Sequence, residues 1–200
     1  MNRIVAVAAA LTLAAACGDS NADTQDAADS AAASAPATEA AAPAPATAPA
    51  VTDPQIAAIV VAANQVDIDA GELAKARGTD PRVKEFAQRM ITDHGGVNQA
   101  ATDLVTKLGV TPEPNATSQK LTADGEASRT TLQGESGAAF DKAYVDQEVA
   151  YHQAVLDAID QTLIPSAQNA ELMALLEQTR PAVAAHLEHA RQLQTQLGGA

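Results

Sequence analysis

Large aromatic side chains are almost missing from this sequence. Two Phe, two Tyr and no Trp in 200 residues provide no platform on which bases could stack. Positive charge is also scarce. Twelve Lys and Arg stand against 25 Asp and Glu, a formal net charge of −13, and such a field repels phosphate backbones and anionic headgroups. Together these absences exclude nucleic acid as a partner. A single cysteine, Cys17, rules out a Cys-based redox pair. No nucleophile elbow or phosphate loop occurs, and Ser and Thr gather in the linkers. Hydrophobic residues make up 46% of the chain, but much of that share is alanine, so the core is smaller than the figure suggests.

What is present begins with "MNRIVAVAAALTLAAACGDS". Arg3 supplies a positive start, and Ile4 to Ala16 form an apolar run too short to span a bilayer as a mature helix. Small residues precede Cys17, as at a bacterial lipidation site, although Ala14 holds the place three before it where Leu is usual. Residues 1–17 are therefore expected to be a lipoprotein-type signal peptide ending in a lipidated Cys17. Ordinary cleavage after Ala16, leaving a soluble periplasmic protein with a free thiol, is the alternative. Gly18 rather than Asp after the cysteine favours an outer-membrane anchor. No later segment is apolar and long enough to cross a membrane.

Residues 18–52 hold no Lys or Arg and almost no large apolar side chain. Their Ala, Pro, Ser, Thr and Asp cannot offset the entropy of ordering the backbone, so a disordered tether is expected. Helical periodicity begins at Asp53 and runs nearly to the end, giving a domain over 53–198. The pattern predicts helices over about 55–78, 81–109, 137–163 and 167–197, with a weak segment around 117–132 interrupted by Gly125. Gly78, Asp80 and Pro81 mark one tight reversal and "IPSAQN" another, with the break at 164–166. Pro181 is expected to kink the last helix. The fold class is all-α: an antiparallel four-helix bundle with a short extra helix in the second-to-third connection.

Polar groups then fall on the wrong faces. On helical wheels Glu148 lies inside the apolar arc of Tyr144, Tyr151 and Val155, and His152 falls within about 40° of it. His94 sits among Ala87, Met90 and Val97, Asp67 among Val60, Ala63 and Ala74, and His186 beside Val183 and Leu193. Asp93 lies at an edge, and Asp141 leans inward beside Phe140. Counted up from the shared bottom turns, Asp67, His94 and His152 stand about 13–14 residues high, Glu148 about 17, His186 about 20 and Asp141 about 24. Three groups should therefore share one layer, with a second tier above. Converging imidazoles and carboxylates can pair with one another or hold a cation. The candidate metal ligands are Asp67, His94, Glu148, His152 and His186, with Asp93 and Asp141 secondary. Such a set suits Zn, Fe, Mn or Cu without choosing among them.

The blocks "DIDAGELAKARGTDPRVKEFAQRMITDHGGVNQAATDLVTKLGV", "GAAFDKAYVDQEVAYHQAVL" and "RPAVAAHLEHARQL" resemble those of a ferritin-like helical family. Its members are exported bacterial proteins, often lipoproteins or predicted outer-membrane proteins, catalogued as a domain of unknown function. The resemblance spans roughly residues 53–197 and implies a ferritin-like bundle in the cell envelope, with the family's repeated polar positions at Asp67, Asp93, His94, Asp141, His152 and His186. Asp67 stands where Glu is common. A di-iron oxidase, tempting for such a bundle, uses a Glu on two helices and Glu-x-x-His on the other two. Here no core face carries Glu-x-x-His, and Glu188 and His189 are expected to turn outward. The expectation is a tethered periplasmic bundle of non-enzymatic or unknown activity with a candidate internal metal site. The alternatives are a structural His–carboxylate network, an envelope-stress interaction module, or a ferritin-like metal oxidase.

Overall fold

The computed structural model describes residues 51–199. All regular structure among them is helical: α1 (Asp53–Arg77), α2 (Pro81–Leu108), α3 (Ala116–Gly134), α4 (Gly137–Ala158) and α5 (Ala170–Gly198). A π-helical turn (Ile159–Leu163) and one further α-turn (Ile164–Ser166) prolong α4. The expected signal peptide with Cys17, and the expected tether apart from its last two residues, lie outside the described residues.

Local chemistry sets the helix ends. Gln55 Oε1 accepts from Thr52 N at the start of α1. Asp80 accepts from Arg82 N ahead of Pro81. Asn115 accepts from Ser118 N, and Asn169 accepts from Glu171 N and Leu172 N. Gly109, in the left-handed region at φ 63°, closes α2. Two carboxylates also reach across the fold to hold neighbouring loops. Asp53 accepts from Gln168 N and Asn169 N, both at 2.9 Å, tying the start of α1 to the entry of α5. At the opposite end Asp141 accepts from Thr79 N at 2.9 Å, Asp80 N at 2.8 Å and the Thr79 hydroxyl.

Two expectations need correcting. The 117–132 segment is an unbroken helix of 19 residues, α3, and it packs along α1. Gly125 does not interrupt it. A Cβ there would stand 2.6 Å from Cγ2 of Val66, so the glycine permits the close approach of the two helices. The break expected at 164–166 lies at 167–169. Before it, over Ile159–Leu163, the chain widens into a π-turn in which Ile164 N donates to Ile159 O, making room for the ring of Pro165, which would clash with a regular α-helical turn. Pro181 stands inside α5, which runs on to Gly198.

The core of this helical bundle comes in two pieces. One gathers Ala74, Phe86, Met90, Phe140, Tyr144 and Leu193, the other Ile56, Ile59, Ile159, Leu172, Leu176 and Val183. On α1, α2, α4 and α5 the buried residues between the two pieces are, apart from Leu187, polar: Asn64 and Asp67, His94, Glu148 and His152, and His186. A polar layer thus divides the hydrophobic interior.

Asp141 belongs to the far end of the fold, away from that layer. It is 2% exposed, and its three bonds to the turn between α1 and α2 are charge-assisted. Asp141→Ala is expected to cost about 2–4 kcal/mol, read as a lower urea midpoint. An unchanged midpoint would show that this clasp does not hold the turn.

Candidate metal centre

Helical spacing alone brings together four of the six residues of the site. Asn64 and Asp67 lie one turn apart on α1, and Glu148 and His152 lie one turn apart on α4, so each pair projects to one side. His94 from α2 and His186 from α5 close the layer. None of the six is more than 6% exposed. The imidazole centroids of His94, His152 and His186 are 5.2–5.5 Å apart.

The hydrogen bonds around these rings decide which nitrogen does what. Asn64 donates through Nδ2 to Val60 O at 2.7 Å, which leaves its Oδ1 as an acceptor. His94 Nδ1, 2.8 Å from that oxygen, must be the donor. His152 Nδ1 lies 3.0 Å from the backbone carbonyl of Glu148 and donates to it. His186 Nε2 donates to Asp93 Oδ2 at 2.9 Å. The second nitrogen of each ring, His94 Nε2, His152 Nε2 and His186 Nδ1, is buried without a hydrogen-bond partner, as is Glu148 Oε2. His94 Nε2 approaches Asp67 Oδ2 only to 3.4 Å, which is long for a strong bond.

Titration behaviour follows from burial and charge. Burial, then the neighbouring imidazoles of His152 and His186, pulls His94 down to about 3. Burial also lowers His186, with Asp93 opposing it. His152 would be lowered by burial too, but the carboxylates of Asp67 and Glu148 raise it to about 9. Asp67 is held well above the carboxylate range by burial and by Glu148, and burial, then Glu148, pushes the Tyr144 phenol up. Asp67 is therefore biased toward its neutral form and His152 toward its charged form, while His94 stays neutral.

Of the residues singled out from the sequence, Asp67, His94 and His152 lie together, and Glu148 and His186, expected a tier above, join them. For His186 the register explains this. Because α5 begins at Ala170, beyond a loop that ends at Asn169, His186 is fewer turns above the base than a start at 167 implied. Asp93 is 45% exposed at its side chain and serves as the acceptor for His186. Asp141 is engaged elsewhere. Glu188 is exposed, but His189 is half-buried and packs edge-on against Phe86 at 5.1 Å. Asn64 and Tyr144 were missed. Asn64 could have been found as a polar residue one turn before Asp67 on the same face, whereas Tyr144 reads as ordinary core.

Two donor triads result: His94, His152 and His186, and Asp67, Glu148 and His152, with the ligating atoms of each within 4.8 Å of one another. An ion about 2.1 Å from each tetrahedral donor sets them about 3.4 Å apart, so rotamer shifts of about 1 Å would close either triad. His152 belongs to both triads, and its Nδ1 also lies 3.3 Å from Glu148 Oε2. Each imidazole is already oriented by an oxygen acceptor on its other nitrogen, the arrangement that fixes metal-binding histidines.

A pH prediction follows for the chelator-treated protein. In an unfolded chain His94 titrates near 6.5, against about 3 in the fold. The native state therefore holds that proton more weakly, and the stability from neutral His94 is complete above pH 6.5 and lost as pH falls toward 3. His152, raised to about 9, works the other way: its contribution is complete below pH 6.5 and lost as pH rises through 9. Asp67, held well above the carboxylate range, works against this loss in any variant that keeps it, so between pH 7 and pH 4.5 the urea midpoint of the wild type should drop relative to that of His94→Gln. An equal fall in both proteins would contradict the assignment.

No curated protein and no solved structure matches the chain. Its residues 35–193 match the family described as "Domain of unknown function (DUF4142)", and with that span the chain belongs to this family.

Proposed function

We propose that this protein holds one transition-metal ion in the polar layer of its helical bundle. His94 Nε2, His152 Nε2 and His186 Nδ1 are the principal ligands, and Glu148 and Asp67 complete the set. The observation that carries the reading is three buried imidazole nitrogens that lack partners, on three rings that each bring a ligand atom within 4.8 Å of the others. A purely structural network would satisfy its members internally, because an unpartnered buried polar atom costs about 1–3 kcal/mol. Here the donors left over are those an ion would use. An imidazole-rich set suits Zn or Cu ahead of Fe and Mn.

The reading extends to the whole chain. It is a lipoprotein anchored at Cys17, with residues 18–52 as a tether holding a ferritin-like, antiparallel four-helix domain over 53–198 in the periplasm, on the outer membrane. The apolar run ending in the lone cysteine and the tether's composition support this placement. Oxidase chemistry of the di-iron kind is not part of the reading. Among the described residues, Asp67 and Glu148 are the only buried carboxylates in the layer, against the four that such centres use.

Elemental analysis of the chain purified without a His-tag is the test. About one ion per chain is expected, with loss in His94→Ala/His152→Ala and retention in Asp141→Ala. Sub-stoichiometric metal, or equal metal in the wild type and the double variant, would remove the reading. Because His152 holds a proton up to about pH 9 and Asp67 is held well above the carboxylate range, zinc binding at pH 7 should release protons, measurable by calorimetry in two buffers. Mass spectrometry of the mature N-terminus tests acylation at Cys17 separately.

A further inference from the structure

A cavity of about 310 Å³ runs alongside the polar layer. Its walls come from α1, α4 and α5, and α3 lies over its mouth. Burial gives it a direction. Thr117, Asp124, Ala154 and Thr162 are exposed at the rim, whereas Ile59, Leu176 and Val183 are buried along the walls and Asn64, Asp67 and His94 are buried at the inner end. Ile59 and Asp67 are eight residues apart on α1, which makes the slot about 12 Å long. Its volume over that length leaves a cross-section of about 26 Å², room for a single aliphatic chain. An apolar cavity of about 150 Å³ admits a benzene-sized molecule, so about ten carbon atoms fit here.

Such a space is costly to keep, and filling it would be simple: Ala63, Ala154 and Ala158 all line it and could be larger. At the inner end His94 Nε2 presents an uncommitted lone pair beside the Asp67 carboxyl. A hydroxyl, donor and acceptor at once, suits both groups. A charged head would have to be desolvated at an inner end where Asn64, Asp67 and His94 are all buried, so an uncharged head is favoured.

We propose that this slot binds an uncharged, medium-chain aliphatic molecule of about ten carbons, with its hydroxyl at His94 and Asp67 and its tail toward Ile59 and Leu176. His94 is shared with the proposed metal site, and the tail pocket does not depend on the ion.

The test uses the full chain in chelator-treated and zinc-loaded forms, with thermal unfolding followed by circular dichroism. The probes are 1-decanol, decane, decanoate and decylamine. At about ten times its Kd, 1-decanol should raise Tm by about 3–5 °C in chelator-treated protein, and the other three should raise it less. Ala158→Leu should keep or raise the ligand-free Tm and lose the decanol shift; if it misfolds, Thr179→Leu is the second plug. No decanol shift in the wild type, or an undiminished shift in a folded plugged variant, would overturn the site. Equal shifts with decane, or larger ones with decanoate, would overturn the assigned head group. The metal content of the same samples is read independently. A decanol shift in protein that takes up no zinc upholds this inference while the metal reading fails, and zinc uptake without a decanol shift does the reverse.

Discussion

Six polar side chains buried in one layer of an alanine-rich bundle must be compensated, because desolvation penalises each of them. Asn64, the backbone carbonyl of Glu148 and Asp93 take up one nitrogen of each histidine, and this fixes the ring orientations. Above and below, the two hydrophobic clusters exclude bulk water and keep the local dielectric low. Low dielectric keeps His94 neutral, whereas Asp67 and Glu148 raise His152 in spite of its burial. The same layer interrupts the packing on which the bundle relies, so the remaining fold has to hold the helices in register around it.

It does so at both ends. Asp53 ties the base of α1 to the entry of α5, and Asp141 ties the start of α4 to the turn between α1 and α2. Near the middle Gly125 lets α3 lie close against α1 at Val66. These contacts link helices that short loops do not join directly. Ligand sets perform best when their supports are rigid, and here every imidazole has an acceptor behind it and a clamped helix beneath it. The apolar slot opening toward His94 fits the same picture, because one wall of the layer is left lined by small side chains.

Much of this was legible in the sequence. The reversal at Gly78–Pro81, the helical periods and the inward faces of Asp67, His94, Glu148 and His152 follow from spacing and turn chemistry. Three features did not. The height of His186 depended on where α5 begins, and the π-turn ahead of Pro165 moved that point by a few residues, a long-range consequence of local backbone geometry. The part played by Asp141 could not be read because its partners, Thr79 and Asp80, are about sixty positions away in the chain. α3 was underrated because Gly125 weakens a helix when considered alone, while its value lies in contact with Val66. Wheels report which way a side chain faces; they do not report what meets it there.

The central claim is that each imidazole has one nitrogen committed as a donor and the other turned, without a partner, toward the shared centre. Long-range proton–nitrogen NMR of the histidine side chains tests it most directly. Chelator-treated protein at pH 7 should show His94 protonated at Nδ1 alone, His186 at Nε2 alone and His152 at both nitrogens. Zinc should then shift His94 Nε2, His152 Nε2 and His186 Nδ1 while the committed nitrogens keep their protons. The opposite tautomers, or fast exchange with solvent and no response to zinc, would contradict the account.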